Sequence, residues 1–294
     1  MYSYDSQKII TLFGTILQQN ISAEGFMYLK EKIPSLQNPS HFNTTFVTLP
    51  RKTGKQTLNI TKDQLTQASN IRPGLTISGW SADRLARAYI ILQLEASDRE
   101  KYFKTLESLF RSAEVNELVA LYSCLPLFAW PEMWIARCSE GIRSNIGDVL
   151  KAIMCNNPYP SENLSESAWN QLVLKAVFTE KPLDQVIGLD ARANERLART
   201  LSDYAHERWA AHRNITPELW RCVAPFIDEQ ILPDVQKLLS SAETLENEAA
   251  ALAIYNSNFD PAKKLLPGDY KTAIENGTLS WKILAEKMND HVLQ

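Results

Sequence analysis

The chain has 294 residues, 45% hydrophobic and 22% charged, an ordinary globular balance that excludes wholesale disorder and leaves ample material for a core. A formal net charge of -3 lacks the basic footprint of a dedicated nucleic-acid binder, so no nucleic-acid partner is expected. Ten glycines and few runs of alternating apolar and polar residues favour helices.

The opening residues MYSYDSQK lack a basic segment leading into an apolar one, so no secretory signal is expected. Helices are predicted near 6–18 and 22–33. The stretch from His41 to Thr61 is rich in Thr, Asn and Lys, and FVTLP and QTLNIT predict a small β-hairpin over 46–61. Its loop, Arg51-Lys52-Thr53-Gly54-Lys55, departs from the GxxxxGK[ST] phosphate pattern and reads as a hydrophilic turn. Arg72-Pro73-Gly74 and Gly79-Trp80 then punctuate the chain, which places a boundary near residue 78. The expected division is an N-terminal helical region, 1–78, and a helical repeat region, 79–294.

Beyond that boundary helices are predicted near 81–95, 98–112, 114–124, 131–143, 145–155, 165–179, 191–213, 217–226, 229–240 and 243–256. Ser97-Asp98-Arg99-Glu100 reads as a capping box, and Thr216-Pro217, Asp260-Pro261 and Pro131 read as helix starts. Helix pairs beginning near 98, 131 and 165 recur at about 32 to 35 residues, as stacked hairpins would. Residues 239–266 resemble a HEAT unit. The expected fold is all-α, an irregular α-solenoid of HEAT-like hairpins. Leu118, Leu121, Trp134, Ile146, Trp169, Leu172, Leu197, Leu201 and Trp220 are its expected core.

Four widely spaced cysteines, Cys124, Cys138, Cys155 and Cys222, sit in apolar helical stretches and read as buried thiols. The most apolar stretch, Leu118 to Trp130, is shorter than a membrane span. A cytoplasmic location is therefore expected.

Two segments concentrate polar chemistry. In 156–178, Asn157 and Tyr159 stand in a rigid NPYP turn, and Asn170 interrupts an apolar helix face where burial would demand hydrogen-bond partners. In 188–213, Asp190 reads as a helix cap, while Arg192, Arg196, Arg199, Asp203, His206 and Glu207 share one helix face. Asp203, His206 and Glu207 fall within one turn, so they are the candidates for a metal or for acid–base work. A salt-bridged outer face competes with that reading, and HExxH spacing is absent.

The stretches NPYP, WNQLVLKAVF, GLDARANERLARTLSDYAHERWAAHR and ELWRCVAPF, in that order, resemble the EboA family. So do ELVALYSCLPLF, EGIRSNIGDVLKAI and the PRKTGK loop, so the resemblance covers most of 45–255. His212 stands where the family's AAGR-type helix end would have glycine. The resemblance implies a member of a gene cluster for secondary-metabolite traffic, beside a prenyltransferase-like membrane protein and TIM-barrel-type proteins. It carries over no catalytic residues. The reading is thus a non-catalytic scaffold that binds a protein partner from that cluster or a small-molecule metabolite, with no cofactor and no transmembrane segment. The alternative is an enzyme or metal-dependent binder using the polar face of 191–213.

Overall fold

The computed structural model describes residues 1–292, and these form helices joined by turns and longer connections, with no strand among them. They divide into two compact units, Met1–Ser165 and Glu166–Gln294. Residue 78 falls inside the first unit.

The first unit begins with α1 (Ser6–Asn20), α2 (Ala23–Lys32), α3 (Pro39–Thr53), α4 (Lys62–Ile71) and α5 (Ala82–Ile91). It continues with α6 (Arg99–Ser112), α7 (Val115–Ser123), α8 (Ile135–Ile142), α9 (Gly147–Met154) and the single turn α10 (Tyr159–Asn163). Helix α5 is central, packing on α1, α3 and α7, and nearly every one of its side chains is buried. The second unit comprises α11 (Glu166–Phe178), α12 (Glu195–Ala210), α13 (Leu219–Val223), α14 (Leu232–Leu239), α15 (Thr244–Tyr255), α16 (Asp260–Lys263), α17 (Gly268–Glu275) and α18 (Trp281–Val292). Its centre is α15, which packs on α13, α14, α17 and α18. Alanines at 249–251 and 253 leave that helix thin enough to be enclosed from several sides.

The expected hairpin over 46–61 does not form. Asn38 caps α3 by accepting from the Ser40 and His41 amides, Pro39 fits its first turn, and Phe42, Thr45, Phe46, Leu49 and Thr53 make one buried face. That 3.6-residue period overrides the β-branched local composition, and Arg51, Lys52 and Thr53 become its last turn before Gly54 (φ 80°). Only the second half of the predicted hairpin pairs at all: Thr57 makes an isolated antiparallel bridge with Ser81.

Pro50 lies inside α3 and cannot donate to the Phe46 carbonyl four residues back. Arg87 of α5 fills that vacancy, its Nε donating to Phe46 O at 3.2 Å while its guanidinium lies over the Phe46 ring. Nη1 of the same buried arginine meets Asp83 at 2.5 Å, and Nη2 lies 3.6 Å from Glu117 of α7. One cation thus ties three helices at their common centre.

Helix starts differ in detail. Asp98, not Ser97, caps α6, accepting from the Lys101 amide, while Ser97 Oγ donates to Glu95. Phe259 and Glu218 occupy the cap positions of α16 and α13, so neither Asp260 nor Thr216 serves as the expected capping oxygen. The expected core is buried at Leu121, Trp134, Trp169, Leu172, Leu197, Leu201 and Trp220. Leu118 is half-buried, and Ile146 is exposed because it becomes the N-cap of α9. All four cysteines are free and buried, and burial pushes the thiols of Cys124, Cys138 and Cys222 up to about 12.

Candidate functional site

Asn157 and Tyr159 belong to the first unit and are buried there. Asn157 Nδ2 donates to Tyr122 O and Ala152 O, its Oδ1 accepts from the Tyr159 amide, and Tyr159 OH donates to Pro131 O at 2.5 Å. These side chains knit the NPYP turn to backbone groups of earlier helices. Beside them Arg72 makes a two-pronged pair with Glu162 and donates through Nε to Pro126 O. Neither Arg72 nor Glu162 stands out in the sequence, because 90 positions separate them.

In the second unit Asn170 and Asn194 exchange amide hydrogen bonds at 3.1 and 2.8 Å. Asn194 Oδ1 also accepts from the Leu197 amide, so this pair sets the start of α12. The helix therefore opens at Glu195 rather than 191, and Asp190 is released from the expected capping role. Asp190 instead accepts two hydrogen bonds from Arg221, at 2.6 and 2.5 Å. The Arg192 guanidinium lies 4.9 Å from the centre of the Trp169 ring.

The polar face of α12 meets the segment that follows α13. Arg199 makes a two-pronged ion pair with Asp228, whose carboxyl is held down to about 2 chiefly by that guanidinium. Ser202 Oγ and His206 Nε2 share the buried carboxylate of Asp234, at 2.8 and 2.7 Å. Asp203 and Glu207 are exposed. No group of three His, Cys, Asp or Glu side chains among the described residues is arranged to hold a metal ion.

The other flank of α12 borders a cleft of about 470 Å³ within the second unit. Its apolar walls include Val177 and Phe178 from α11, Tyr204 from α12, Ile215 from the connection after α12, and Met288 from α18. Phe178, 54% exposed, packs on Tyr204 with ring centres 4.7 Å apart. Charged groups also line the cleft: Glu180, Lys181 and Asp184 on the α11–α12 connection, Arg208 on α12, and Glu218. Lys181 Nζ donates to Thr179 O, and Arg208 donates twice to Asn214 O.

Glu218 is the unusual member. It is 3% exposed; its Oε2 accepts from the Leu183 amide at 3.3 Å, and its Oε1 is buried with no hydrogen-bond partner among the described residues. Burial, reinforced by the neighbouring Asp184 charge, pushes its carboxyl up to about 7. In the sequence Thr216-Pro217-Glu218 reads as an ordinary helix start, since a glutamate in a first turn carries no sign of burial. Size alone does not mark the site. A larger depression of about 690 Å³ beside α1 and α4 has its buried Gln64 amide already paired with Gln19 at 2.9 Å.

Among known proteins, the family described as metabolite traffic protein EboA matches residues 9–224, well over half of the chain. The match takes in α11, α12 and Glu218 but stops short of α18. No curated protein matches, and no solved structure does.

Proposed function

We propose that this chain, which belongs to the EboA family, is a non-catalytic binding protein in the processing or export of a secondary metabolite, and that the cleft beside α12 holds the small molecule. Membership of that family suggests a role in metabolite traffic. The observation that carries the binding reading is the cleft itself: apolar walls beside a buried glutamate, one of whose carboxyl oxygens has no hydrogen-bond partner among the described residues, the composition of a small-molecule site. By contrast, Arg199 and His206 on the polar face of α12 are already joined to Asp228 and Asp234.

On this reading the chain works in the cytoplasm as an irregular array of HEAT-like hairpins and hands its ligand to a protein of the same gene cluster. No helix among the described residues is long and apolar enough to cross a membrane. On this reading the membrane step belongs to a partner. Pairing of α12 with α13 and of α14 with α15 supports the hairpin description.

The test fills the cleft in the native host. Asn289 is exposed and lines it, so Asn289→Trp occupies the space without touching the core. A host carrying that variant should accumulate the same unexported metabolite as a host lacking the chain, with folded protein at normal abundance. Export at the wild-type level would refute the cleft as the working site.

A further inference from the structure

We propose that the cleft selects an apolar amine, its ammonium group seated against the Glu218 carboxylate on the side shared with Asp184. The inference rests on the reading of this cleft as a small-molecule site and adds the chemical class of the ligand.

Three observations support it. Glu218 and Asp184 both line the cleft, and the Asp184 charge raises the cost of ionising Glu218, so a cation is the species that offsets it. Glu218 Oε1 is shielded from solvent and has no hydrogen-bond partner among the described residues, so a bound amine draws the carboxylate towards the cleft, where its ammonium brings three donors. The cationic side chains nearby are already engaged: Lys181 with Thr179 O, Arg208 with Asn214 O, and Arg221 with Asp190. Around this acidic end, Phe178, Tyr204, Ile215 and Met288 supply a surface for the rest of an apolar molecule.

Occupancy then changes the protonation of the site. Without the amine, burial favours the neutral acid; with it, the carboxylate is stabilised and the carboxyl proton leaves to solvent. Asp184 from the connection before α12 and Arg221 from α13 act on Glu218 directly, and Glu180, Lys181 and Arg208 are the other charged groups that line the cleft. Glu218 is the group pushed up to about 7, so amine affinity should rise with pH across neutrality.

The test uses the full chain and two probes of one shape, benzylamine and benzyl alcohol, followed by amide NMR shifts. Glu218→Gln keeps an oxygen for the Leu183 amide and removes the negative charge. Benzylamine should shift the amides of 177–184, 204 and 214–218, and its affinity should fall about tenfold or more in the Glu218→Gln variant. Benzyl alcohol should bind both proteins equally and more weakly. In the wild type alone, benzylamine affinity should drop as pH is lowered from about 8.5 to about 5.5, a readout that survives even if the variant fails to fold. Equal binding of the two probes, or an amine affinity flat with pH, overturns the amine class while leaving the cleft a small-molecule site. Failure of both probes to shift those amides overturns the site as well.

Discussion

Glu218 makes a pH prediction of definite sign. Its carboxyl lies near 4.5 in an ordinary setting and at about 7 in the folded chain. Between those values the folded state keeps a proton that the unfolded state has released, so stability falls as pH rises through the window. The loss is of order 3 kcal/mol for a shift of this size. Urea unfolding at about pH 5 and about pH 8 should show it, and the Glu218→Gln variant should flatten it; equal slopes in both proteins would contradict the assignment. Asp228 acts in the opposite sense. Its contribution is present above the ordinary carboxylate value and disappears as pH falls towards about 2. Being over one-third exposed, it stabilises by less than about 1 kcal/mol. At His212 the backbone is left-handed (φ 53°), the Arg213 amide reaches Arg208 O and the His212 amide reaches Trp209 O, closing α12. Glycine is unstrained there, so His212→Gly should raise stability by about 0.5–1 kcal/mol, read as a higher urea midpoint. This position was legible from the family's glycine at the helix end, and so was the need of buried Asn170 for partners. The identity of its partner, Asn194, was not, because it depends on where α12 begins.

Elements were easier to read than their ends. Apolar residues recurring every three or four positions locate α6 and α11 to within a residue or two, because burial of one face dominates their placement, while an alanine-rich run locates α15 as closely. The error at α3 has a specific cause. Thr, Val and Pro50 favour a strand or turn locally, and the buried face that overrides them relies on help from another helix. Arg87 supplies the donor for Phe46 O that Pro50 lacks, and its position 41 residues away hides that compensation from the sequence. Replacing Arg87 by Met would leave Asp83 and Glu117 buried without their cation and Phe46 O without its donor. The expected loss is about 3–5 kcal/mol, measured by urea unfolding. A change below about 1 kcal/mol would mean that the three helices hold together without the ion pair.

For the whole molecule, the helical class and the family followed from periodicity and from the blocks between 157 and 226, whereas the cleft did not. Its walls come from α11, α12 and α18, positions more than 100 residues apart, and its distinctive feature is an unpaired oxygen created only by packing. Charged residues are dense on the polar face of α12, whereas the buried carboxyl lies towards its other flank. The central claim is that this cleft carries a small molecule. Native mass spectrometry of the chain purified gently from its own host tests it most directly, comparing wild type with Asn289→Trp. The wild-type chain should carry an added mass that dissociates on activation as a small amine, and the filled variant should lack it. An unliganded mass for both proteins, or the same adduct on both, would contradict the account.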